Sequence, residues 1–169
     1  MPLTEEQQRG RLLNAVLAFF EKHLTFPKVY LGADWADETD VYPVDVLAID
    51  RDGIGETAVA VLWDETKEKW PSVISRLMPV PAHFKYVVAT SQAGSRDPFS
   101  WGIPWSSGAP EMYSPNGIGR IGVITVDPEM ERVTPQLALS AERFRPSRPL
   151  FKMADAFIAN HPADYEVRG

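Results

Sequence analysis

An α/β fold with a mixed central sheet flanked by helices is predicted by three features of the chain. Apolar residues recur at helical spacing near both ends, as Leu12, Leu13, Val16, Leu17 and Phe20, and as Leu150, Phe151, Ala154, Phe157 and Ile158. Four apolar runs of strand length, VDVLAI, TAVAVLW, FKYVVA and IGVITV, lie between them. The second run, Thr57 to Trp63, is apolar throughout, as expected of a strand covered on both faces in mid-sheet.

Each element follows in chain order. Thr4-Glu5-Glu6-Gln7 fits a capping box, in which a hydroxyl and the side chain three residues on satisfy each other's free amides. A helix over about 5–24 results, stopped by Thr25-Phe26-Pro27. Val29-Tyr30-Leu31 reads as a short strand, and ADWADETD after it as a solvated acidic loop. That loop lacks the alternating oxygens and glycine of a calcium site. Strand 44–49 carries Asp45 among apolar neighbours, and Asp52-Gly53 then signals a hairpin into strand 57–63.

Asp64 or Thr66 would cap the next helix, whose apolar face is Trp70, Val73, Ile74 and Leu77. Pro79 and Pro81 stop it before strand 84–89. Residues 91–118 form a long loop rich in Ser, Gly and Pro. Strand 121–126 follows, paired with residues around 130–133, and a closing helix spans 149–160. The expected organisation is one domain: a core over 5–90, a loop-rich extension over 91–148 and the closing helix.

Composition limits the chemistry. With 169 residues the chain is long enough to bury a core without disulfides. Cysteine is absent, which removes thiolate metal sites and cysteine nucleophiles. No apolar run reaches the roughly 18–20 residues of a membrane span, and the polar start MPLTEEQQRG is unlike a signal peptide, so a cytoplasmic protein is expected. A net charge of -6 disfavours nucleic acid as a partner.

The order helix, strand, strand, strand, helix, strand over residues 5–90, with Pro43-Val44-Asp45-Val46-Leu47-Ala48-Ile49-Asp50 at its centre, resembles the restriction-endonuclease-like, or PD-(D/E)XK, superfamily. The resemblance implies two carboxylates holding a divalent ion and a lysine beside them that activates water. Asp45 would be the first carboxylate. The remaining two groups would stand at Ala60 and Leu62, which neither ligate a cation nor donate to water. Glu65-Thr66-Lys67 reads as acidic-any-Lys but lies five residues further, about 16 Å along a strand. Glu21 on the first helix is a solvated glutamate in the simplest reading.

Other motifs carry less. Gly117-Ile118-Gly119-Arg120-Ile121-Gly122 matches G-x-G-x-x-G but enters a strand, where a dinucleotide site needs a helix N-terminus. His23, His83 and His161 show no ligand spacing and read as helix-end or surface residues. No nucleophile elbow or P-loop occurs. Trp101, Trp105 and Tyr113 in the long loop suit a protein partner or self-association, or else form that loop's own small core. Arg143, Arg145, Arg148 and Lys152 form a local basic cluster.

Two main readings follow. The favoured one is a noncatalytic binding or scaffold module on a nuclease-like α/β fold, with no cofactor and its partner surface in the 91–118 loop. The second is a nuclease dependent on Mg²⁺ or Mn²⁺, using Asp45 as metal ligand with displaced carboxylates such as Asp50 or Glu56. A third is a subunit of a larger assembly.

Overall fold

In a computed structural model, the described residues are 4–50, 56–64, 67–90, 119–127, 132–133, 143–144, 150–160 and 166–168. Helix α1 (Glu5–Ala18) begins with the predicted capping box: the Thr4 hydroxyl accepts from the Gln7 amide and the Gln7 side chain accepts from the Thr4 amide. Beyond Ala18 the pitch widens into a π turn, Phe19–His23. The wider turn lets two consecutive aromatics, Phe19 and Phe20, both meet Tyr86 edge-on, at 6.4 and 5.6 Å between ring centres.

Among the described residues seven strands make one mixed sheet: β1 (Lys28–Ala36), β2 (Val41–Ile49), β3 (Thr57–Leu62), β4 (Phe84–Thr90), β5 (Gly122–Asp127), β6 (Arg132–Val133) and β7 (Glu166–Arg168). Their spatial order is β6-β5-β4-β3-β2-β1-β7. The hairpin pairs β1–β2 and β2–β3 are antiparallel, β3–β4 and β4–β5 are parallel, and β6 returns antiparallel on β5. Helix α2 (Trp70–Leu77) makes the crossover from β3 to β4, and α3 (Leu150–Asn160) precedes β7. The α/β class and the mixed sheet are those read from the pattern. No helix among the described residues is long and apolar enough to cross a membrane.

Three elements differ from expectation. The strand over Val29–Leu31 continues to Ala36, through half of the supposed acidic loop. Trp35 explains this: it is fully buried, and its indole N–H donates to the Pro81 carbonyl at 2.7 Å. Asp34 and Asp40 stay exposed while the tryptophan anchors the backbone. Helix α2 starts at Trp70 rather than after Asp64 or Thr66. Pro71 is tolerated in a first turn, whereas a start at Thr66 would put its ring into the helix interior. The short edge strand β7 was not anticipated; three residues give too little pattern to read.

The sheet separates two cores. On one face α1 brings Leu12, Ala15, Val16, Leu17 and Phe20 against Val46, Ala48, Ala58, Ala60 and Val88. On the other, α2 and α3 cover Tyr30, Trp35, Leu47, Ile49, Val59 and Val87. Side chains of a strand alternate strictly between faces, yet β1 and β2 each break the alternation once. Tyr30 shares a core with Ala33 and Trp35, and Val44 shares one with Leu47 and Ile49. Both swaps occur at facing positions: the ladder is regular on either side of Gly32 and Asp45, and that one pair is missing from it. Gly32 takes φ +63°, a conformation glycine adopts without strain. Asp45 thus stands at an irregularity in the sheet rather than on a flat strand face.

Candidate functional site

Asp45 lies where the β2–β3 ladder ends. Paired residues run from Ile49–Thr57 to Val46–Ala60, and no pair follows. In place of a backbone partner, the Leu62 amide donates to Asp45 Oδ2 at 2.7 Å. Oδ1 accepts from the Arg9 guanidinium of α1 at 2.7 Å. The Leu62 carbonyl accepts from Arg76 of α2 at 3.1 Å, and Arg76 also pairs with Glu68 at 2.6 Å. The last residue of the central strand is therefore closed by side chains on both of its backbone groups. Charge-assisted bonds of this kind contribute roughly 1.5–3 kcal/mol each when shielded, and less when as exposed as Arg9.

The positions that the resemblance would assign to a second acid and a lysine are apolar in place as in sequence. Ala60 is fully buried and Leu62 packs against the α1 core. Lys67 lies at this same end of β3, paired with Glu5 and with Asp64, the latter at 3.7 Å. Glu5 sits one helical turn before Arg9, so two ion pairs stand side by side along the start of α1.

Asp50 and Glu56, the other carboxylates of the metal reading, are at the opposite end. The Asp50 amide donates to the Glu56 carbonyl at 2.9 Å, which makes them neighbours across the β2–β3 connection. From Asp45 that end is five residues along β2, about 16 Å. The structure brings Asp50 and Glu56 together and leaves Asp45 apart from both. Among the described residues no group of three or more His, Asp or Glu is placed to hold a metal ion.

Around Glu56 is a cluster that sequence reasoning missed. Arg143 pairs with Glu56 at 3.2 Å, with the glutamate mostly covered. His83, half-buried before β4, accepts from the Thr57 amide on Nδ1 at 3.0 Å, and its own amide donates to the Thr57 carbonyl at 2.9 Å. An imidazole accepting on Nδ1 carries its proton on Nε2 and is neutral. Burial first, then the Arg143 charge, lowers the His83 pKa, with Glu56 opposing. The Phe144 amide donates to the His83 carbonyl at 2.7 Å, fastening segment 143–144 to the sheet.

Lys85 is the second omission. It is buried on the α2 side of β4, with Nζ donating to the Met78 carbonyl at the end of α2 and lying 4.2 Å from the centre of the Phe144 ring. Burial pulls its pKa down to about 8. The helix C-terminus and the ring face both favour the cation, and desolvation opposes it. The alternation of Lys85, Val87 and Ala89 on one strand face was the available signal for a buried lysine.

Gly119, taken from the glycine motif, has a packing role. Its φ is +103°, and a Cβ there would lie 2.5 Å from the Phe144 ring and 2.8 Å from the Phe144 Cα. Trp101, Trp105, Tyr113, Arg145 and Arg148, with Glu65, Thr66, His161 and the Asp52-Gly53 turn, lie outside the described residues. Comparisons of the chain with protein-family models, with curated proteins and with solved structures return no match.

Proposed function

We propose that the chain is a noncatalytic binding or scaffold module built on a nuclease-like α/β frame. The observation that carries this reading is the state of the Asp45 carboxylate. One oxygen faces the Arg9 guanidinium and the other closes the Leu62 amide. A guanidinium occupies the place of counter-charge that a divalent ion would take in the resemblance, and Ala60 and Leu62 offer it no second ligand. The contiguous order β1-β2-β3-β4, with a helix before it and a helix between β3 and β4, supports the frame. On this reading the partner surface is the 91–118 segment with Trp101, Trp105 and Tyr113, and Arg143, Arg145 and Arg148 are further binding residues.

One observation favours the second reading, a nuclease dependent on Mg²⁺ or Mn²⁺. Asp64 and Lys67 lie at the same end of β3 as Asp45. Calorimetric titration with either ion, comparing the native chain with Asp45→Ala, separates the two. The binding module gives no heat that the substitution removes. Metal-dependent cleavage of DNA or RNA that disappears in Asp45→Ala would sink it.

A further inference from the structure

A cleft of about 510 Å³ opens between the β1–β2 hairpin and α3, within the size range of small-ligand sites. Its floor is apolar: Met153 and Phe157 reach it from α3, and two alanines, Ala36 and Ala156, line it where larger side chains would fill the space. Phe157 is held edge-on against Tyr30 and Trp35, at 4.9 and 6.1 Å between ring centres, so the floor rests on the buried core. The hairpin wall is shaped by Asp37, whose Oδ1 accepts from the Thr39 amide, the Thr39 hydroxyl and the Asp40 amide.

Asp37 is committed to its own turn. Among the described residues, none donates a hydrogen bond or ion pair to the carboxylates of Asp34 and Glu38, which also line the cleft, and none pairs with Lys152 on the α3 side. The cleft therefore combines an apolar floor backed by the core with three carboxylates against one ammonium. Asp34 and Glu38 are exposed at the rim of the cleft, so a neutral apolar ligand would gain nothing from them, and an anion would be repelled. We infer that the cleft binds a cation on an apolar body: a guanidinium or ammonium group held by Asp34 and Glu38, with its hydrocarbon or aromatic part on Met153 and Phe157. Either an arginine or lysine side chain beside an apolar residue of a peptide, or a free aryl-alkyl amine, has this chemistry. The inference does not rest on the reading of Asp45, whose partner Arg9 belongs to α1 on the opposite face of the sheet.

The test is a titration of the ¹⁵N-labelled full chain, followed by amide shifts, with three probes: N-acetyl-Phe-Arg-amide, phenethylamine and the uncharged N-acetyl-Phe-citrulline-amide. Both cations should move the amides of 34–39 and 152–160 at millimolar concentration, with the citrulline probe about tenfold weaker, the loss expected for one charge-assisted contact. Tighter binding of the dipeptide marks a peptide source, and tighter binding of phenethylamine marks a free amine. Asp34→Asn with Glu38→Gln removes charge without touching the core and should weaken the cations about tenfold at an unchanged melting temperature. Ala156→Phe should fill the cleft and block both. Equal binding of arginine and citrulline probes, full affinity in the Asn/Gln variant, or no shift with either cation overturns the inference.

Discussion

At the Leu62 end of β3 the strand is closed by charged side chains that stand in water; at the Thr57 end it is closed by a neutral imidazole and by groups packed out of water. Arg9 and Arg76 both reach in from the surface, with half or nearly half of their side chains exposed. His83, Lys85 and Phe144 instead interlock, and Gly119 gives Phe144 the room to do so. Two chemistries thus solve one problem, the unpaired backbone groups where a central strand stops. The first is sensitive to salt. The second is shielded from salt and sensitive to protons.

The comparison is broken most severely at Gly119. Gly119→Ala forces a Cβ into Phe144 at a backbone angle that disfavours any side chain, and the expected loss is about 3 kcal/mol or more in urea unfolding. A variant as stable as the native chain would show that Phe144 is loosely held. Lys85 comes next. Its folded pKa, about 8, lies below the 10.5 of the unfolded chain. The unfolded chain therefore binds the extra proton between those values, and stability should rise by on the order of 1–3 kcal/mol as pH climbs from 8 to 10.5. Lys85→Met should abolish that slope.

At the charged end, Asp45→Ala strands the Leu62 amide and should cost about 2 kcal/mol, most of it recovered in Asp45→Asn, which still accepts. Indistinguishable Ala and Asn variants would remove the ladder-closing role. The smallest effect belongs to His83. Its pKa is lowered on folding, so the stability it contributes is complete above the unfolded value of 6.5 and is lost as pH falls through the folded value. Thermal melts of His83→Gln should decline less between pH 6.5 and 5 than those of the native chain, by about 1 kcal/mol or less. Parallel declines would assign the acid sensitivity to other groups.

Periodicity made most of the frame legible. The capping box, the hairpin after Asp45 and the doubly covered β3 all rest on local pattern, and each stands where that pattern put it. What failed to show was set by contacts distant in sequence. Trp35 keeps an acidic stretch in the sheet by reaching Pro81, and Asp45 finds its counter-charge on a helix that begins the chain. The Asp50 and Glu56 pair illustrates the same limit: both are near Asp45 in sequence, and antiparallel register carries them to the other end of the strand. His83 looked peripheral because its partner, the Thr57 amide, leaves no trace in residue type.

The facing interruption at Gly32 and Asp45 also behaves like a pair of matched frameshifts in a code of period two. Each strand swaps its inward and outward residues there, and the swaps cancel because they are opposite one another. Deleting Gly32 or Asp45 alone would leave the other as an unmatched residue, a bulge in one strand only, whereas loss of both together closes the ladder with Trp35 and Val44 still facing their core. In descendants of this chain, length changes in the hairpin should therefore arise in compensating twos.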